Sequence, residues 1–275
     1  MKAITFLLAL FCLASVSSAQ KAPKRKLVFA DEFNYTGLPD PTKWGYEKGF
    51  VRDGEPQYYT EKRLKNCHVD NGMLVIEGIK EQYPNPNYKA GSDRREQKQE
   101  FAPYTSASIN THGKYSWQYG RIEVRAKVPG GKGTWPAFWM LGDTHYTIGW
   151  PRCGEIDIME YLGRDSTRVH ATVHYADSLG KHQQQGVAKI VGKPADGFHI
   201  YAVDWDDKGM EFYYDDLKYF TFSYAGMKKA DSNVFRKKFY LLINLALGST
   251  VDWGGPQDDS ILPAKYYIDY VRVYQ

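Results

Sequence analysis

The sequence predicts an all-β protein made of two antiparallel sheets packed face to face. Three observations lead there. Segment after segment alternates apolar and polar residues with a period of two. No ten-residue window carries an apolar helical stripe with caps at both ends. Aromatic residues make up 15% of the chain, with 22 Tyr and 7 Trp, a composition that favours strands or carbohydrate contact over a helical bundle.

The chain opens with Lys2, an apolar run from Ala3 to Ala14, and small residues ending in Ser17, Ser18 and Ala19. A basic start, a short apolar centre and an A-x-A-like end form the layout of a secretory signal peptide, so residues 1–19 are expected to be a leader cleaved after Ala19. A lipoprotein reading would lipidate Cys12, but the bulky Phe11 before it argues against that. No other stretch is long and apolar enough to span a membrane. The remaining chain of about 255 residues contains no Ser, Pro or Gly-rich linker and is expected to form one domain, 20–275. A net charge of +4, from which the leader takes one lysine, is too balanced for a nucleic-acid binder. Lys21, Lys24, Arg25 and Lys26 read as a solvated tail. Cys67 and Cys153 remain after cleavage; export permits a disulfide between them, and two separate buried thiols fit equally well.

Strands follow in order. MLVIEGI alternates; the polar, Pro- and Asn-rich stretch 81–100 reads as a long surface loop. In GRIEVRAKV, Ile122, Val124, Ala126 and Val128 share one face, with Arg121, Glu123, Arg125 and Lys127 opposite. In RVHATVHY, Val169, Ala171, Val173 and Tyr175 oppose His170, Thr172 and His174. HIYAVDW, MEFYYDD and YYIDYVRVY add further strands, and FYLLINLAL, apolar on both faces, reads as a central buried one.

GEIDIMEY places Glu155, Asp157 and Glu160 in a stretch that otherwise reads as a buried strand. A regular strand would point Glu155 and Asp157 to one face and Glu160 to the other. A bulge near Ile158 or Met159 would return Glu160 to the face of the other two. Two carboxylates converging on one bond suit glycoside hydrolysis, one ionised as nucleophile and one protonated as acid. An arbitrary E-x-D-x-x-E is most often a solvated strand. Here Trp135, Trp139 and Trp150 lie just upstream, and a tryptophan face is a good platform for a pyranose, although any single tryptophan is more often core. Two histidines, His170 and His174, are too few for a zinc site.

The stretches YGRIEVRAKVPGGKGTWPAFWML, WPRCGEIDIMEYLG, QYYT, FHIYAVDW, FYLLINLALG and IDYVRVY resemble glycoside hydrolase family 16, specifically its laminarinase and β-1,3(4)-glucanase members, across nearly the whole mature chain. The resemblance implies a jelly-roll β-sandwich with a concave substrate cleft and a retaining mechanism through a covalent glycosyl intermediate. It implies Glu155 as nucleophile, Asp157 as its assistant and Glu160 as general acid/base, with Met159 the extra residue of the laminarinase-like form. It places Trp135, Trp139, Trp150, His174, Asn66 and Trp253 at sugar subsites. Two departures concern those subsites: Ser108 stands where many members are expected to carry arginine, and LALGSTVDWGG replaces the usual Gly-Gly-Asn-Trp run and shifts Trp253. No cofactor is implied for the reaction, but Glu32 and Asp269 match places where some members hold a structural calcium. The expected protein is therefore an exported, periplasmic or extracellular endo-β-glucanase, acting as a monomer on a β-glucan polysaccharide. Transglycosylation and a non-catalytic glycan-binding sandwich are the alternatives.

Overall fold

A computed structural model of the chain describes residues 25–275 apart from residue 53; the expected leader, with Cys12, and Lys21 and Lys24 of the basic tail lie outside the described residues. The alternating segments assemble into two stacked sheets of a jelly-roll sandwich. One sheet has seven strands, in the spatial order His182–Ile190, Arg168–Ala176, Glu155–Glu160, Thr134–Gly142, Phe239–Leu247, Ser108–Asn110 and Gly45–Tyr46, each antiparallel to its neighbour. The ten-stranded sheet is centred on Gly120–Lys127, which lies between His199–Trp205 and Ala264–Tyr274. Its one parallel pair is Gln57–Tyr59 with Phe101–Ser106.

Period-two patterning explains the packing. Ile122, Val124 and Ala126 from one sheet meet Phe138, Met140, Ile156, Val173, Leu241 and Ile243 from the other in a single buried core. Phe239–Leu247 is buried along its entire length because both its faces are covered. Its second face, with Ala137, Trp139, Leu141, Cys153 and Tyr240, forms a separate apolar layer on the outer side of the seven-stranded sheet. That layer is the floor on which the polar site is built.

Several expectations change. The strand Met73–Pro84 runs on through Glu81–Pro84, because Tyr83 and Pro84 pair with Ala102 and Phe101; the loop begins only at Asn85 and contains a short helix at Arg95–Lys98. The buried Asn85 amide ties that loop down by donating to the carbonyls of Glu96 and Gln99. His182–Ile190 is a strand that the alternation did not reveal, since it lies at the sheet edge with most side chains in water. Arg25 pairs with Asp204, and Lys26 exchanges backbone bonds with Gln275, so this end of the basic tail is fixed against the sheet. Cys67 and Cys153 are two separate buried thiols.

Gly142 ends the strand before the connection that leads into Glu155–Glu160. A Cβ there would lie 1.9 Å from the Cys153 carbonyl oxygen, a backbone atom that cannot move aside cheaply. Gly142→Ala is expected to lower the melting temperature by roughly 3–10 °C in calorimetry, as overpacking of about 1–3 kcal/mol would. Gly197→Ala, whose added Cβ meets only His199 Nε2 at 3.7 Å, is expected to leave it unchanged.

Candidate active site

The bulge is present. Asp157 pairs with Trp139 and Met159 with Phe138, so two steps along Glu155–Glu160 match one step on its neighbour. On the other side the register likewise shifts between Asp157 and Glu160. Ile158 and Met159 both sink into the core, and Glu160 returns to the outer face. Cross-strand partners confirm the shared face: Glu155 lies opposite Leu141 and His174, Asp157 opposite Trp139 and Thr172, Glu160 opposite Ala137 and His170.

All three carboxylates line one cavity of about 170 Å³, walled by Arg52, Glu55, Trp135, Trp139 and Asn244. Glu160 Oε1 accepts from the Trp135 indole N–H at 3.0 Å. His174 Nε2 lies 3.3 Å from Asp157 and 3.8 Å from Glu155. Its Nδ1 meets His182 Nε2 at 3.0 Å, and the two rings stack. Burial, followed by the nearby Asp157 charge, pushes Glu155 up to about 8; His174, Arg52 and the Trp150 indole act in the opposite sense. Burial likewise raises Asp157, which Glu155 and Arg52 partly offset. Glu160 is raised strongly, by burial and by the charges of Asp157 and Glu155. Three such groups cannot all ionise together in so small a space. Glu155, facing a histidine and an arginine, is the best placed to give up its proton. Glu160, desolvated by burial and facing the charges of Asp157 and Glu155, is the best placed to keep one.

The other expected subsite residues divide. Trp150 is half exposed beside His182 and His174, and Trp253 packs edge-on against Trp135 and His170 despite the altered loop. Asn66 is a correction: it is fully buried, and its amide is spent on Thr60, Arg63, Thr105 and the Glu77 carbonyl, so it reaches no sugar. Trp139 is only 7% exposed; its N–H goes to Asn244 at 2.7 Å and Arg52 covers its ring. The two carboxylates expected as possible calcium ligands have arginine partners. Glu32 takes both its oxygens to Arg272 at 2.8 Å, and Asp269 accepts from Arg125 at 2.6 Å, so each carboxylate is already neutralised by its own arginine. Among the described residues, the grouping of three side chains with metal-ligand spacing is Glu155, Asp157 and His174, within the carboxylate site itself.

Sequence reasoning missed Arg52, Glu55, Asn244 and His182. Asn244 sits within an apolar strand whose register alone puts it on the cleft face, and the stretch holding Arg52 and Glu55 has no alternation to read.

The sandwich and the bulged carboxylate strand define a glycoside hydrolase. The family model for glycosyl hydrolases family 16 matches residues 58–272, and the chain belongs to that family. It is 41% identical over 270 residues to a β-glucanase of Rhodothermus marinus, covering 94% of this chain and 87% of that protein. A crystal structure of a non-specific endo-β-1,3(4)-glucanase superposes with a TM-score of 0.79 at 37% identity, covering 92% of each chain. A structure from work on endo-acting O-glycanases with which human gut bacteria initiate mucin breakdown superposes with a TM-score of 0.82 at 35% identity, covering 91% of each.

A carboxyl group whose pKa is raised by folding holds more protons in the folded than in the unfolded chain between the two values. For Glu155 that window runs from 4.5 to about 8, and stability falls as pH rises through it. Glu155→Gln, which cannot ionise, is expected to melt higher than the wild type at pH 8. Thermal scans should show the difference shrinking to nothing by about pH 4; a constant difference would disprove the raised pKa.

Proposed function

We propose that the chain is an exported endo-β-glucanase that cuts internal bonds of β-1,3- or mixed-linkage β-1,3/1,4-glucans with retention, as a monomer whose catalytic domain is residues 20–275. The observation that carries this reading is the bulge that gathers Glu155, Asp157 and Glu160 on one wall of an open cleft. Family membership and the glucanase relatives support the substrate class.

In this reading an oxygen of ionised Glu155 attacks the anomeric carbon. The glycosidic C–O bond breaks, and the Glu160 proton passes to the leaving oxygen. Water then attacks the anomeric carbon, gives its proton to Glu160 and releases Glu155. Asp157 shares a proton with Glu155 and holds its orientation, and His174 braces Asp157. A sugar acceptor in place of water would give transglycosylation by the same steps.

A second substrate class, galactose-containing glycans, draws support from the similarity, at 30% identity over 252 residues, to a keratan-sulfate endo-1,4-β-galactosidase of Sphingobacterium multivorum. Reducing-end release and product sizing on laminarin, cereal mixed-linkage glucan and a β-galactan separate these readings. The wild type is expected to give initial products of retained configuration by NMR, and Glu155→Gln and Glu160→Gln are each expected to lose turnover at least about a hundredfold on the preferred polymer. Near wild-type turnover in either variant would reject the role assigned to it, and glucan binding without any product would favour a non-catalytic glycan-binding sandwich.

A further inference from the structure

We propose that Arg52 contacts substrate and sets specificity, presenting its guanidinium plane and one N–H donor to the sugar unit bound on the Glu155 side of the reacting bond. The inference rests on the glycosidase reading above. Arg52 lines both the carboxylate cavity and a neighbouring one of about 500 Å³ that includes Glu155 and Trp150 but not Glu160. A side chain that reaches both chambers lies where one sugar unit passes to the next on the nucleophile's side.

The arginine is built in from several directions. Its Nη2 donates to Glu47 Oε2 at 2.6 Å, and the Ser108 hydroxyl donates to the same oxygen at 2.6 Å. The Glu47 N–H bonds the Ser108 carbonyl at 3.0 Å, anchoring that carboxylate to a sheet strand. Arg95 donates to the Val51 carbonyl, holding the backbone just before Arg52. The guanidinium carbon then sits 4.8 Å from the centre of the Trp139 ring. Because that ring is covered and its N–H is committed to Asn244, the flat surface offered to a sugar here is the guanidinium itself.

One donor is left over. Arg52 Nη1 is buried and has no hydrogen-bond partner among the described residues, a costly state for a charged group unless a ligand completes it. Glu47 already balances the positive charge, so the missing acceptor is a neutral sugar hydroxyl rather than a sulfate or carboxylate substituent. Ser108 accounts for the placement. Where the family resemblance leads one to expect arginine, the Ser108 hydroxyl instead shares Glu47 Oε2 with Arg52, an arginine from a different segment whose guanidinium lies over Trp139.

The test is bond-cleavage mapping on reducing-end-labelled β-glucan oligosaccharides of defined length, with kcat and KM, for the wild type, Arg52→Gln, Arg52→Lys and the double variant Arg52→Gln/Ser108→Arg. Arg52→Gln is expected to raise KM on short oligosaccharides about tenfold or more and to move the preferred cleavage position, with a smaller effect on long chains. Arg52→Lys keeps the pairing with Glu47, so it should fold even if Arg52→Gln does not, and it should show the same displaced cleavage. The double variant is expected to restore the wild-type position. A wild type that cleaves but whose cleavage position is unchanged in both single variants overturns this inference alone, leaving Arg52 a structural brace. A wild type that binds sulfated oligosaccharides more tightly than neutral ones overturns the assignment of a neutral acceptor. A wild type that cuts none of these oligosaccharides overturns the glucanase reading and this inference with it.

Discussion

One extra residue in one strand governs the rest of this molecule. Without it, the alternation of Glu155–Glu160 would drive Glu160 into a core lined by Phe138, Val169 and Leu245, where a carboxyl group is costly to bury. The bulge lets Ile158 and Met159 both enter that core and leaves all three acids outside. Apolar burial therefore stabilises the irregular backbone: the inward pair fixes the register, and the register fixes the outward carboxylates.

The outer side of the seven-stranded sheet would ordinarily be a solvated face. Here it carries its own apolar layer, and the acids stand on that layer rather than in water. A low-dielectric floor raises all three pKa values, so the site holds protons near neutrality and its neighbours decide where they reside. His174 and Arg52 favour ionisation at the Glu155 end, while burial and the charges of Asp157 and Glu155 hold the proton at Glu160. The stability lost by clustering acids is confined to one strand of a sandwich whose core is otherwise continuous.

The cleft walls follow a different logic from its floor. Floor residues come from strands and are placed by ladder register. Arg52, Glu55, Trp150 and Trp253 come from connections, where position depends on a few polar bonds such as Glu47 to Ser108. The two departures from the family pattern, Ser108 and the loop around Trp253, both lie near these walls. Trp253 nevertheless reaches Trp135 and His170 from the altered loop.

Much was legible in the sequence by itself. Period two is a local property, so the strands at 120–127, 168–176, 199–205 and 264–274 could be read from their own residues, and the one at 239–247 from its nearly continuous apolar run. The parity of Glu155, Asp157 and Glu160 even exposed the need for a bulge, because one register cannot serve both the acids and their apolar neighbours. The edge strand at 182–190 was not legible, since a strand that buries little leaves no alternation to read. Nor could spacing show that Asn66 is consumed by four internal hydrogen bonds, that Glu32 and Asp269 each belong to an arginine, or that Arg52 covers Trp139. Those outcomes depend on which groups from distant segments meet, and only the packed sheets decide that.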